Sequence, residues 1–301
     1  MLAKKTKRGF RLVEGDVEIL TYIYQLRFAT NDHLIALTGR IQRRLNYRLE
    51  KLSKNKYLYR RRNSNYDKYI YTLNKKAAPL LVEQGVATPE ILKLRVRLGE
   101  LKELFLKHAL MLSDIHTTLL LASRNSPIKL VDWREGKTDV YDSVTVMEKG
   151  ERVKYPVRPD AFFTLHNTRR KEGENRSHFF LEADRSTTIH ERFQRKIIGY
   201  DHYYQQGKHT KKYGIQGFQV VTLTLTEARA LNLCKASGDV LPKGEGQFYL
   251  FAPVKYFTFE NPEHIFDDIL VSPHALKIVQ EDGGEKIIPT KFYSFFPPLA
   301  K

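Results

Sequence analysis

Cysteine is nearly absent, since Cys234 is the only one in 301 residues. A single cysteine excludes an intramolecular disulfide and a zinc site built from several cysteines. Uninterrupted apolar runs of about 18 residues are also missing, and the basic N-terminus lacks the apolar segment of a signal peptide. We therefore expect a soluble, non-secreted protein of the reducing cytoplasm that does not enter a membrane.

Acidic residues are scarce relative to basic ones, and the imbalance is concentrated at one end of the chain. The whole chain has 51 Lys and Arg against 34 Asp and Glu, a net charge of +17. Residues 1–75 hold 18 Lys and Arg against 6 Asp and Glu, so they carry +12 and the other 226 residues only +5. This distribution predicts a polyanionic partner that contacts mainly the N-terminal quarter.

The N-terminal region shows the pattern of three short helices. Apolar residues recur at helical spacing over residues 14–28, and a Thr30-Asn31-Asp32 cluster caps a second helix that Gly39 ends. A third helix is predicted over residues 40–54, with its apolar face turned inward. The inward residues are Ile41, Leu45, Leu49 and Leu52. The residues left outside are Gln42, Arg43, Arg44, Asn46, Tyr47, Arg48 and Lys51.

Two β-rich pieces follow, residues 57–60 and 69–72, joined by a basic linker that predicts a hairpin. The run HLIALTGRIQRRLNYRLEKLSKNKYLYRR resembles the winged helix-turn-helix family. That resemblance implies that the third helix enters the major groove of duplex DNA and that the hairpin touches the backbone or minor groove. RNA is the weaker alternative, because no RNP-type aromatic motif is present. The expected DNA-binding residues are Arg40, Gln42, Arg43, Arg44, Asn46, Tyr47, Arg48, Lys51, Arg60, Arg61, Arg62 and Lys68.

A second pattern lies between Arg158 and Thr188, where residues 159–165 and 178–184 alternate like half-buried strands of one hairpin. Side chains on a strand alternate between faces, so Glu182 and Asp184 share a face, and Asp160 on the partner strand can lie beside it. Three carboxylates within reach of one cation would form an oxygen-ligand site for Mg²⁺ or Mn²⁺.

The elements around this hairpin follow the order αβββαβ, which resembles the PD-(D/E)xK nuclease superfamily. More narrowly, RPDAFF, FFLEADRSTT, FQRKIIGYDHYY and VVTLTLTEARALNL resemble the replication-relaxation family of plasmids and other mobile elements, over residues 14–255. The resemblance implies that Asp160 and Glu182 are metal ligands. Asp184 stands where the superfamily has Lys, so it becomes a third ligand, and Lys196 is the preferred replacement, ahead of Lys154.

Taken together, the sequence predicts a mixed α+β or α/β chain with a winged helix over residues 1–84, a helical connector over 85–99 and a nuclease-like domain with a mixed central sheet over 100–301. We expect a double-stranded DNA-binding protein of a mobile element, associated with the nucleoid or a plasmid. Its second domain either hydrolyses phosphodiesters through Asp160, Glu182, Asp184 and Lys196, or serves docking or dimerisation without chemistry. A homodimer and replication or conjugation proteins are the expected protein partners.

Overall fold

The computed structural model describes residues 10–62, 67–90, 101–185, 189–241, 248–281 and 284–296. The chain divides into two compact units, Met1–Thr117 and Thr118–Lys301. Both units contain helices and strands, and the second contains a mixed five-stranded sheet, so the fold is α+β as predicted.

The first unit begins with three helices and a two-stranded antiparallel hairpin, in the predicted order. Its elements are α1 Glu14–Leu26, α2 Asn31–Thr38, α3 Gln42–Lys54, β1 Leu58–Arg61, β2 Ile70–Leu73 and α4 Ala77–Glu83. Residues 63–66, the predicted tip of the hairpin, lie outside the described residues, as do the basic arm before residue 10 and the helix predicted after Glu90.

Local signals fix the ends of the short helices, and one predicted core position is wrong. Gly39 ends α2 with a left-handed backbone (φ 64°), and its N–H donates to the carbonyl of Ile35 at 2.8 Å. Leu45, Leu49 and Leu52 of α3 are fully buried. Ile41, predicted to face the core, is 61% exposed, because it precedes α3 in extended backbone and so escapes the helical periodicity.

A long helix, α5 Glu103–Asn125, spans the division between the two units. In the first unit, His33 of α2 accepts the Thr30 backbone N–H at Nδ1 (2.9 Å), while its Nε2 lies 2.8 Å from Asp114 of α5. Because Nδ1 is the acceptor, Nε2 carries the proton and donates to Asp114. By length and hydropathy α5 could cross a membrane, and half of its apolar window is buried within the protein.

The second unit is built on one mixed sheet. The strands of the unit are β3 Ile128–Glu135, β4 Asp142–Glu148, β5 Glu151–Val157, β6 Ala161–Asn167, β7 Arg176–Asp184, β8 Gln219–Thr224, β9 Tyr249–Pro253, β10 Leu276–Glu281 and β11 Gly284–Pro289. Five of them form the mixed sheet. The order in the sheet is β3-β6-β7-β8-β9, antiparallel from β3 to β7 and parallel from β7 to β9. The predicted acidic hairpin is β6–β7.

The described part of this unit also contains four α-helices, and one of them packs on the face of the sheet that carries the acidic residues. They are α6 Lys137–Val140, α7 His190–Gln205, α8 Lys208–Tyr213 and α9 Glu227–Gly238. On this face Phe180 packs against Tyr200 and Tyr203 of α7. On the opposite face Phe179 contacts Phe295, so the aromatic C-terminal segment is packed onto the sheet.

Two hairpins, β4–β5 and β10–β11, were not predicted. The β4–β5 hairpin turns at Lys149 and Gly150, which both have positive φ, the conformation that two-residue hairpin turns require. It packs against α7, where a Cβ on Gly199 would lie 3.3 Å from the Cβ of Tyr155. The hairpin therefore encloses α7 between itself and the central sheet.

Candidate functional site

The outer face of α3 is polar, cationic and open to solvent. Five of the expected DNA-binding residues lie exposed on it, namely Gln42, Arg43, Arg44, Asn46 and Tyr47. Lys51 is half-buried, with its Nζ 5.4 Å from the centre of the Tyr47 ring. Because the leucines of the same helix fill the core, this face has its position fixed by packing.

Arg40 and Arg48 differ from the residues on that face, since both are engaged with α1. Arg48 Nε donates to Asp16 Oδ1 at 2.8 Å, and its terminal nitrogen contacts Oδ2 of the same fully buried carboxylate. The bond to Asp16 raises the pKa of Arg48. Arg40 donates to the carbonyl of Gly15 at 2.7 Å and pairs with Glu18. Arg48, predicted to face outward, is instead partly buried against α1, and both arginines hold the start and middle of α3 to α1.

The hairpin β1–β2 also divides its cations between two roles. Arg60 and Arg62 are exposed and lie over the ring of Tyr69, at 4.9 and 4.8 Å from its centre. Arg61 instead donates to the carbonyl of Leu101 at 2.8 Å, and Lys68 pairs with Asp32. Cations stacked on an aromatic ring remain accessible to an anion, so among the described hairpin residues Arg60 and Arg62 are open to an anionic partner.

In the second unit, the register of β6 and β7 places Asp160 opposite Glu182. Ala161 pairs with Leu181, and the Asp160 N–H donates to the carbonyl of Leu181 at 2.8 Å. Asp160 Oδ2 in turn accepts the backbone N–H of Ala183 at 2.8 Å. These bonds fix the Asp160 carboxylate beside β7 at the end of the strand where Glu182 lies.

Glu182 is 3% exposed, and α7 supplies partners to both of its oxygens. Tyr200 donates its hydroxyl to Oε1 at 2.7 Å, and Lys196 pairs with Oε2. Burial raises the pKa of Glu182, with Asp160 adding to the effect and Lys196 opposing it. The two carboxylates raise the pKa of Lys196 despite the opposing effect of its burial. Lys196, not Lys154, is therefore the lysine at this site.

Asp184, the third predicted ligand, belongs to a separate ion pair. Its side chain lies on the same face as Glu182, but its Oδ2 accepts from Arg229 Nε of α9 at 2.8 Å. Across the described parts of the chain, no group of three or more His, Cys, Asp or Glu side chains is placed to hold one metal ion. The three predicted ligands are therefore divided between two sets of contacts in the described structure, with Glu182 paired to Lys196 and Asp184 paired to Arg229.

Comparison with known proteins supplies the family. Residues 20–218, about two thirds of the chain, match the replication-relaxation family model. The chain belongs to the replication-relaxation family. Membership suggests a role in the replication of plasmids or other mobile elements. This replication-relaxation protein has no significant match among curated proteins or among solved structures.

A Mg²⁺ ion fits this replication-relaxation protein only in a reduced form of the predicted site. Mg²⁺ is usually held by one or two carboxylates together with water and substrate phosphate oxygens. Asp160 and Glu182 meet that requirement across β6–β7, whereas Asp184 does not contribute. Glu182 already has Lys196 on one oxygen and Tyr200 on the other, so a metal ligand from Oε2 requires Lys196 to move.

Sequence reasoning missed two partners of the residues it selected in this replication-relaxation protein. Asp16 and Arg229 are far along the chain from Arg48 and Asp184, and no local pattern indicates either pairing. The Tyr200 contact had a signal, because Tyr200 follows Lys196 by one helical turn and the two share a face of α7.

Proposed function

We propose that this protein binds double-stranded DNA in the replication of a plasmid or other mobile element, through a winged helix-turn-helix in its first unit. The observation that carries the proposal is the outer face of α3, where Gln42, Arg43, Arg44, Asn46 and Tyr47 are exposed while the opposite face is fully buried. In this arrangement α3 is the recognition helix and β1–β2 is the wing.

The side chains on α3 suit the edges of bases in the major groove. Arginine pairs in bidentate fashion with guanine, and asparagine or glutamine pairs with adenine. Arg43 and Arg44 supply the first type, and Gln42 and Asn46 the second. The side-chain amide of Asn31 contacts Asn46 Oδ1, so Asn46 is oriented before DNA arrives.

The remaining exposed cations suit the phosphate backbone. Arg60 and Arg62 stack on Tyr69 in the hairpin, outside α3, so in this proposal they neutralise phosphates and contribute to salt dependence. The surplus of 12 positive charges over residues 1–75 gives the long-range attraction that such binding needs.

Fluorescence anisotropy with a labelled duplex tests this proposal. The double variant Arg43→Ala/Arg44→Ala should bind duplex DNA at least about tenfold more weakly than the wild type. Arg60→Ala/Arg62→Ala should make the plot of log affinity against log salt less steep, reducing the magnitude of its slope by about two. Lys277→Ala/Lys291→Ala removes two charges from the second unit and is the matched control. Equal affinities for all four proteins would reject the α3 interface.

Hydrolysis of DNA is a second candidate function, and the contact between Lys196 and Glu182 favours it. An acid pair with an adjacent lysine is the residue set of a PD-(D/E)xK-like site whose lysine comes from a helix. Asp160 and Glu182 would hold Mg²⁺, which when bound polarises a phosphate and lowers the pKa of its water. Lys196, once off Glu182, has the length and charge to hold a phosphate oxygen.

Incubation of supercoiled plasmid with the protein and Mg²⁺ or Mn²⁺ tests the second candidate. Nicking or linearisation by the wild type, lost in Asp160→Asn and in Glu182→Gln, would support hydrolysis. No cleavage in either metal, or unchanged cleavage by both variants, would reject it. DNA binding without cleavage would then fit a regulator whose second unit serves docking or dimerisation.

A further inference from the structure

The carboxylate of Glu182, where a metal ion would bind in the second unit, already has a lysine side chain beside it. Lys196 Nζ contacts Glu182 Oε2, and its side chain remains 31% exposed whereas that of Glu182 is 5% exposed. Lysine is a flexible side chain with a compact charge, so it can leave toward solvent without moving α7. Glu182 has no such freedom, because it is enclosed by the sheet and by Tyr200.

We propose that Lys196 is a built-in competitor for a divalent cation: a metal ion binds to Glu182 and Asp160 only when Lys196 leaves Glu182 Oε2. Both the ammonium and a divalent metal ion are cations that take carboxylate oxygens as partners. Because Lys196 already contacts Oε2, a metal ion on that oxygen would lie beside the ammonium group, and the repulsion between the two positive charges opposes their binding together.

The hydroxyl of Thr222, a second polar group beside Glu182 and Lys196, supports a site that can also hold a hydrated metal ion. Thr222 of β8 is in direct register with Glu182, so the two side chains share a face of the sheet. Its hydroxyl is fully buried and has no hydrogen-bond partner in the part of the chain that the structure describes. Buried hydroxyls normally have partners, and a water molecule on a bound metal ion would supply one.

The proposal uses the site of the second candidate function but does not require hydrolysis. Competition between Lys196 and a divalent cation for Glu182 is measured by metal binding, without any cleavage of DNA. A protein that binds the ion without cutting DNA would refute hydrolysis and leave the competition intact. Removal of the competitor should strengthen metal binding, because the apparent affinity of a site falls with the fraction of molecules in which the site is open.

Titration of the full-length protein with Mn²⁺, followed by the electron paramagnetic resonance signal of the free ion, tests the proposal. Lys196→Met should bind one Mn²⁺ ion at least about tenfold more tightly than the wild type. Lys196→Arg keeps a cation at the position and should bind as weakly as the wild type. The double variant Glu182→Gln/Lys196→Met should lose the site that Lys196→Met opens.

Two outcomes would overturn the proposal. Equal Mn²⁺ affinity of the wild type and Lys196→Met would show that Lys196 does not compete, and retained affinity in the double variant would place the ion elsewhere. If Lys196→Met fails to fold, Lys196→Gln replaces it in the Mn²⁺ titration, because glutamine can keep a hydrogen bond to Glu182 without the charge. Competing Mg²⁺ should displace the Mn²⁺ bound to either variant.

Discussion

The first unit carries exposed cations on α3 and β1, whereas the second buries Glu182 and Asp184 against α7 and α9. In the first unit, Arg43 and Arg44 are exposed, whereas Arg40 and Arg48 are held by α1. In the second, Glu182 and Asp184 are buried and each has a cation beside it. A charge that the fold leaves exposed is available to a partner, whereas a charge that the fold pairs internally contributes first to structure. The two units therefore call for different experiments.

The largest effect is expected in the second unit, at the pair of Asp184 and Arg229. Arg229→Ala should lower the free energy of unfolding by about 3 kcal/mol, because it leaves a buried carboxylate without its ion-pair partner. Trp133, the only tryptophan, lies in this unit and reports its unfolding in urea by fluorescence. Asp184→Ala/Arg229→Ala should recover part of the loss, and a double variant less stable than Arg229→Ala would contradict this account.

A smaller effect is expected at the corresponding pair in the first unit. Asp16→Ala should cost about 2 kcal/mol, because Arg48 loses a bidentate partner but is itself partly exposed and can reach water. Glu18→Ala, which removes the exposed partner of Arg40, is the matched control and should cost less than about 1 kcal/mol. Circular dichroism in urea measures both, and equal losses would remove the distinction between buried and exposed pairs.

The smallest effect is a pH dependence in the first unit, which amounts to less than about 1 kcal/mol between pH 7 and pH 6. Burial lowers the pKa of His116 to about 3 from its ordinary value of 6.5. Between those values the unfolded chain binds the proton and the folded chain does not, so stability falls as the pH drops through that window, by at most about 1.4 kcal/mol per pH unit. His116→Leu should flatten this slope in urea unfolding between pH 7 and pH 5. An unchanged slope would show that His116 is not its source.

Local patterns in the sequence predicted much of the fold. Period-two alternation gave the β6–β7 hairpin and the shared face of Glu182 and Asp184, and leucine spacing gave the buried side of α3. The turn at Lys149-Gly150 between alternating strands was a usable signal for β4–β5 that was overlooked.

Long-range charge pairing was the part that the sequence did not reveal. Helical periodicity places Arg44 and Arg48 alike on the outside of α3, but only the folded chain shows that Asp16 lies under Arg48. In the same way, the E-x-D pattern contains Asp184 but not its distant partner Arg229. Pairing of this kind depends on tertiary packing. A set of outward charges predicted from the sequence therefore includes both residues that are open to a partner and residues that form ion pairs within the protein.

The most direct test of the central claim compares Arg44→Ala with Arg48→Ala, two variants on one helix that lose the same charge. Duplex DNA affinity is measured by anisotropy under conditions where circular dichroism shows both proteins folded. We predict that Arg44→Ala lowers affinity by about tenfold, whereas Arg48→Ala stays within about twofold of the wild type and loses stability instead. Equal loss of affinity in both folded variants, or none in Arg44→Ala, would contradict the assignment of the exposed face of α3 as the DNA-binding surface.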